Sequence, residues 1–231
     1  MVAVEGLDGA GKATLVDALA RSARARGATV ATLAFPRYDA DVHAALAGEA
    51  LRGEHGDTAA SVHAMALLFA LDRRDAVPVL ADLCAAHDLV LVDRYVASNA
   101  AYGSARLHEG VGPFAAWVHA TEVDRFGLPA PDAQVLVRVP PELAAQRVRE
   151  RARAAPDRDP DRFEADAELQ RRCAEVYDEL AERQWWCGWW VAENRHSGDE
   201  ALTRTADAVM DAVLGKAFAP GSSVRSDTIE T

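Results

Sequence analysis

Apolar residues fall into two alternating patterns along this chain. Short runs at 2–5, 29–34, 89–93, 133–139 and 189–192 predict strands, and the third and fourth are continuous Val/Leu-rich runs of the kind covered on both faces. Longer stretches near 13–26, 40–52, 58–86, 96–108, 112–126, 141–153, 161–184 and 198–214 carry helical periodicity. Strands alternating with long helices imply right-handed βαβ crossovers, and hence an α/β fold with a parallel sheet and helices on both faces. No internal repeat is visible. The pattern ends near 214, and 215–231 is rich in Gly, Ser, Pro and Thr, which reads as a flexible tail after one domain spanning 1–214.

The length of 231 residues suits one large α/β domain, and a 50% hydrophobic content excludes disorder throughout. The net charge of −11 argues against nucleic acid as a partner, because such proteins present a basic face. It leaves phosphate ligands open, since a phosphate site needs only local Arg and Lys. Cys84, Cys173 and Cys187 form no CxxC pair and read as free thiols of a reducing compartment, and the seven histidines show no metal-ligand spacing. No segment is long and apolar enough to span a membrane, and Glu5 interrupts any signal-peptide core, so the expected location is cytoplasmic.

The first strand leads into Gly6-Leu7-Asp8-Gly9-Ala10-Gly11-Lys12 and then a helix. A glycine-rich turn between strand and helix lets backbone N–H groups face phosphate oxygens, and Lys12 adds a mobile charge for the β- and γ-phosphates. The usual motif continues with Ser or Thr, whose hydroxyl binds Mg²⁺. Here that residue is Ala13, and the hydroxyl comes at Thr14, rotated by about 100° on a helix. Phosphate binding by Gly6, Gly9, Ala10, Gly11, Lys12, Ala13 and Thr14 survives this change, but the metal ligand must be sought elsewhere.

Four further segments carry candidate chemistry. Asp93-Arg94-Tyr95 follows the third strand and continues to Ser98, Asn99 and Tyr102; an acid there can hold Mg²⁺ or a metal-bound water, and Arg94 can grip an acceptor phosphate. Phe35-Pro36-Arg37-Tyr38 follows the second strand, at the sheet edge where ligands bind in open α/β folds, although alone it reads as a proline turn. Phe69 and Arg73 lie four apart on one helix face, which suits a nucleobase, although a lone Phe in an apolar stripe is ordinarily core. The stretch 147–162 carries Arg147, Arg149, Arg151, Arg153, Arg158 and Arg162 with Pro156 and Pro160. Most charge runs are solvated helix faces. Beside a phosphate loop, a proline-broken arginine segment is better read as a mobile lid closing over the transferred phosphate. Trp185, Trp186, Trp189 and Trp190 read as packing, with Glu193-Asn194-Arg195 as a possible flank for adenine.

Together these segments resemble the thymidylate kinase family, enzymes that make dTDP from dTMP and ATP, over roughly residues 1–210. The chain is most similar to the actinobacterial branch, where Asp follows the first loop glycine by two and the residue after the Lys need not carry a hydroxyl. The resemblance implies a three-layer P-loop kinase fold with a five-stranded parallel sheet, ATP as donor, Mg²⁺, and a homodimer. It implies that Phe69 stacks on thymine, that Arg73 and Asn99 bond the base, and that Phe35, Pro36 and Tyr38 line the cleft with Ser98. Arg94 and Arg37 would hold the dTMP phosphate, and Tyr102 would sit under the deoxyribose. Asp8 and Glu164 would orient the sugar or metal, with Asp93 supporting. Arg147, Arg151 and Arg158 would neutralise the moving phosphoryl group. The chain departs from the pattern at Ala13 and at Phe163, where a Tyr is expected. The rival readings are another deoxynucleoside or nucleotide kinase, or a P-loop regulatory ATPase or GTPase; the guanine motif expected of a GTPase is absent.

Overall fold

The computed structural model describes residues 1–154, 163, 166–194, 204–211 and 228–229. Five strands carry the sheet: β1 (Val2–Glu5), β2 (Val30–Ala34), β3 (Leu89–Asp93), β4 (Ala133–Arg138) and β5 (Trp189–Glu193). All pair in parallel in the order β2-β3-β1-β4-β5, and a two-residue strand, β6 (Thr228–Ile229), pairs with β5 at the edge. The central strands β1, β3 and β4 are buried along nearly their whole length, as their mainly apolar runs require when helices cover both faces. The result is the three-layer α/β fold expected.

The helices are α1 (Lys12–Ala25), α2 (Val42–Leu51), α3 (Val62–Asp75), α4 (Val77–Ala86), α5 (Val96–Arg106), α6 (Pro113–Val118), α7 (Pro141–Ala154), α8 (Ala167–Glu182) and α9 (204–211). The single helix expected over 58–86 is instead a 3₁₀ turn at Thr58–Ala60, followed by α3 and α4, which break at Ala76. Pro78 explains the break, since it cannot donate to the preceding turn but fits the first turn of a new helix. The helix expected over 112–126 winds into a π-helix at His119–Arg125. That segment carries the buried Glu122 into the interior.

Two features place the functional residues. Parallel pairing sets Val4 opposite Asp93, so the turns after β1 and β3 emerge side by side. Helix α5, which follows β3, packs between α3 and α8 and faces the turn after β1. Helix α9 is tied back to α1, where Ser22 donates to Asp207 at 2.6 Å and Arg26 pairs with Asp211 at 2.9 Å.

Candidate active site

The turn from β1 to α1 is built for an anion. Gly11 closes the turn in the left-handed region, and α1 begins at Lys12 with no side-chain cap, so its first N–H groups point into the turn. Gly9 also has positive φ, and a Cβ there would stand 2.3 Å from the Ala144 carbonyl of α7, so no other residue fits. Asn194, just after β5, braces the turn by donating to the Ala10 carbonyl at 2.7 Å. Lys12 lies along the turn, donating to the carbonyls of Leu7 at 2.8 Å and Gly6 at 3.1 Å. Burial, with Arg94 beside it, pulls the Lys12 ammonium down to about 8, against the opposing pull of Asp8, Asp93 and Glu5. Ala13 and Thr14 are exposed in the first turn of α1.

The end of β3 supplies the opposite wall. Arg94 adopts left-handed backbone (φ 65°), a strained conformation for a long side chain and one found at functional sites. Its guanidinium reaches across to the turn, donating to Asp8 Oδ1 at 2.5 Å and to Gly6 O and Ser98 Oγ at 3.3 Å each. Tyr102, two turns along α5 from Arg94, donates its hydroxyl to the other oxygen of Asp8 at 2.7 Å. Burial alone would raise the Asp8 carboxyl, but Arg94 and Lys12 outweigh it and hold the group well below the usual carboxylate range. The same pair acts on Arg94 in reverse: burial would lower its pKa, and Asp8 holds it well above the ordinary value.

Beneath this layer lies Glu5, wholly buried. It accepts from Tyr95 N at 2.7 Å, Ser98 Oγ at 2.6 Å and Tyr177 Oη at 3.2 Å. Burial raises its carboxyl despite the Ser98 bond and the Arg94 charge. This network anchors the start of α5 and hence Arg94. Sequence reading passed over it, although an acid ending an otherwise apolar strand was its available signal.

An open cleft adjoins Asp8 and Arg94. Phe35, Pro36 and Tyr38 line it from the turn after β2, Phe69 and Arg73 from α3, and Ser98, Asn99 and Tyr102 from α5. Phe69 and Arg73 therefore do share the cleft-facing side of one helix. Arg106 and Phe163 line it too; nothing in the sequence singles out Arg106, and Phe163 stands out there only as a departure from the family pattern. The Arg106 guanidinium sits 4.8 Å over the Phe163 ring, and that ring lies 6.2 Å from Tyr102. The Phe163 position, where a Tyr was expected, thus contributes an apolar face.

Arg37 is placed differently from its expected role. Its Nε and Nη2 donate to Asp72 Oδ1 and O at 2.7 Å each, and it is absent from the cleft lining. The buried carboxylate of Asp72, one residue before Arg73, has captured it and ties the turn after β2 to α3. Asp72 also accepts from the Arg37 backbone N–H at 2.9 Å.

Asp93 ends β3 with Oδ1 buried and without a hydrogen-bond partner among the described residues. An orphaned carboxylate oxygen near the phosphate turn fits a hard cation or its hydration water. Both Asp8 oxygens are already engaged by Arg94 and Tyr102. Arg147 and Arg151 stand one turn apart on α7, whose Ala144 touches the turn through Gly9. The helix holds to Ala154, before the first proline of the lid segment. Arg158, Arg162, Glu164 and Arg195 lie outside the described residues. Trp189 and Trp190 are buried in the core as expected, whereas half-buried Trp186 stacks on Tyr95 at 5.8 Å.

A family model described as thymidylate kinase matches residues 4–195. Thymidylate kinases of Mycobacterium tuberculosis strains CDC 1551/Oshkosh and ATCC 25618/H37Rv are each 57% identical over 192 residues, covering 83% of this chain and 90% of the relative. A probable thymidylate kinase of Archaeoglobus fulgidus is 32% identical over 160 residues, covering 68% of this chain and 72% of the relative.

Proposed function

The chain belongs to the thymidylate kinase family and phosphorylates dTMP to dTDP at the expense of ATP; on that premise we propose which of its residues perform the transfer. ATP phosphates occupy the turn from Gly6 to Gly11 with Lys12, Ala13 and Thr14 at the helix start, and dTMP occupies the cleft. The observation that carries this assignment is the Asp8 carboxylate, bound by Arg94 on one oxygen and Tyr102 on the other, at the point where cleft and turn meet.

Phosphoryl transfer asks the protein for alignment, charge neutralisation and exclusion of water rather than covalent chemistry. Phe69 stacks on the base, while Arg73 and Asn99 bond its edge. Phe35, Pro36 and Tyr38 close the near wall, and Tyr102 underlies the sugar. Arg94 exchanges part of its hold on Asp8 for the acceptor phosphate and carries that phosphate toward Lys12. Lys12 leaves the Leu7 and Gly6 carbonyls for the donor phosphates, and the phosphate charge favours its protonated form. Arg147 and Arg151 on α7, with Arg158 beyond it, neutralise the group in flight. Arg37 acts from behind, holding the Phe35 turn through Asp72.

Mg²⁺ is part of the proposal. Asp93 is the fitting anchor, Asp8 and Glu164 are its other candidate ligands, and when bound the ion spreads charge across the donor phosphates. A cytoplasmic location and a homodimer are proposed from family membership. Among the described residues no helix is long and apolar enough to cross a membrane.

The test is a coupled ADP-release assay over dTMP, thymidine, dCMP, dUMP, dGMP and dAMP. The reading expects dTMP to have the highest kcat/KM and thymidine to be inert, because thymidine brings no phosphate to Arg94. Thymidine as the better acceptor would make the chain a nucleoside kinase and remove the role given to Arg94.

A further inference from the structure

Glu122 sits on the π-helix, 1% exposed, with its carboxylate directed at two residues of the cleft. Oε2 accepts from Arg73 Nε at 2.6 Å, and Oε1 accepts from Arg73 Nη2 at 2.9 Å. Oε1 also accepts from Asn99 Nδ2 at 2.7 Å, and that same nitrogen donates to the Ala66 carbonyl at 2.8 Å.

A carboxylate and a backbone carbonyl only accept. Both amide protons of Asn99 are therefore spent on the protein, and the amide has one permitted orientation. Its nitrogen faces Glu122 and Ala66, leaving Oδ1 as the atom that Asn99 can offer to the cleft it lines. Arg73 is constrained in the same way: Nε and one Nη2 proton lie on Glu122, leaving Nη1 and the second Nη2 proton to donate. The cleft thus presents an acceptor beside a donor. A pyrimidine edge with ring N–H beside a carbonyl matches both. An edge with a bare ring nitrogen beside an exocyclic amine sets acceptor against acceptor and donor against donor.

We infer that Glu122 is the positioning residue for base selection: by fixing the Asn99 amide and the Arg73 fork together, it makes the cleft accept a thymine-type edge and reject a cytosine-type edge. This rests on the acceptor-cleft reading above and adds a residue that touches no substrate. Without the carboxylate the Asn99 amide is free to reverse, and the cleft loses its bias.

The experiment is Glu122→Gln. A glutamine offers one acceptor and one donor in place of two acceptors, so at least one of its three incoming N–H groups meets another N–H. The dTMP kcat/KM is expected to fall about tenfold or more, chiefly through KM, while dCMP stays level or improves, because a site built to pair one edge loses most when its polar groups are mispaired. The KM for ATP should stay within about twofold, as Glu122 is remote from the donor turn. If Glu122 only supports packing, dTMP and dCMP fall together and the ratio stands, which overturns the inference. Should the variant not fold, side-chain amide NMR on the unaltered enzyme decides. Both Asn99 Nδ2 protons, identified by their loss in Asn99→Asp, should be protected from solvent exchange; rapid exchange of either would refute the assigned orientation. An unaltered enzyme inactive on dTMP defeats the acceptor-cleft reading instead, and leaves the NMR result to judge Glu122 alone.

Discussion

Tyr102 donates to Asp8 across 2.7 Å, joining the helix that floors the cleft to the glycine turn proposed for the donor phosphates. Its ring is thereby fixed on the cleft wall beside Asn99, one helical turn away. A ribonucleotide whose base reaches Asn99 would press its 2′-hydroxyl against that ring and leave it unpaired. Burying an unpaired hydroxyl costs about 1–3 kcal/mol, or about 5- to 150-fold in kcat/KM. Tyr102→Phe should retain the preference for dTMP over ribothymidine monophosphate while losing some kcat through Asp8. Tyr102→Ala should erode the preference, and an unchanged ratio there would place sugar selection elsewhere.

Lys12 gives a pH signature with two opposite signs. In the proposed role its working form is the ammonium, and in the free enzyme that form is lost as pH rises through about 8. The kcat/KM for ATP should therefore decline above that value, with kcat declining at higher pH because bound phosphates stabilise the charge. Stability moves the other way. The unfolded chain, with a lysine of ordinary value 10.5, binds more protons than the folded one between about 8 and 10.5, so this group adds stability as pH rises through that window. Activity lost while thermal stability holds would identify Lys12, whereas a flat kcat/KM profile would exclude it as the titrating group.

Arg94→Ala should raise the KM for dTMP about 10- to 150-fold and lower kcat, the range expected for charge-assisted contacts to a phosphate. The variant also frees Asp8 from its strongest partner. If only the KM for ATP moved, Arg94 would belong to the donor side.

Gly103 faces the cleft from α5, and a Cβ there would stand 1.9 Å from the Phe114 ring of α6. Gly103→Ala should cost about 1–3 kcal/mol by overpacking, read as a lower denaturant midpoint, and should disturb the neighbouring Tyr102. Wild-type stability would mean that α6 moves aside freely.

The strands were legible because buried parallel strands write themselves as unbroken apolar runs, and β1 and β3 match their expected bounds at both ends. The phosphate turn was legible because glycines at 6, 9 and 11 answer a local backbone demand. Long-range pairing was not. Nothing adjacent to Arg37 in sequence announces that Asp72 will take its guanidinium, and Glu122 lies in a stretch whose helical period hides a π-helix. Asn194 was read as a flank for adenine; its amide instead holds the Ala10 carbonyl, a contact between segments 184 residues apart. Phe163 drew notice only as a missing hydroxyl, and its ring became a cleft wall through Arg106 and Tyr102.

The central claim, that turn and cleft form one transfer site, is tested most directly by following the label from γ-³²P ATP in the parent and in Lys12→Ala. The account predicts label in dTDP only when dTMP is present, negligible free phosphate without it, and loss of labelled dTDP in the variant while dTMP still binds. Free labelled phosphate released at the same rate with or without dTMP, or transfer within a few-fold of the parent in Lys12→Ala, would contradict it.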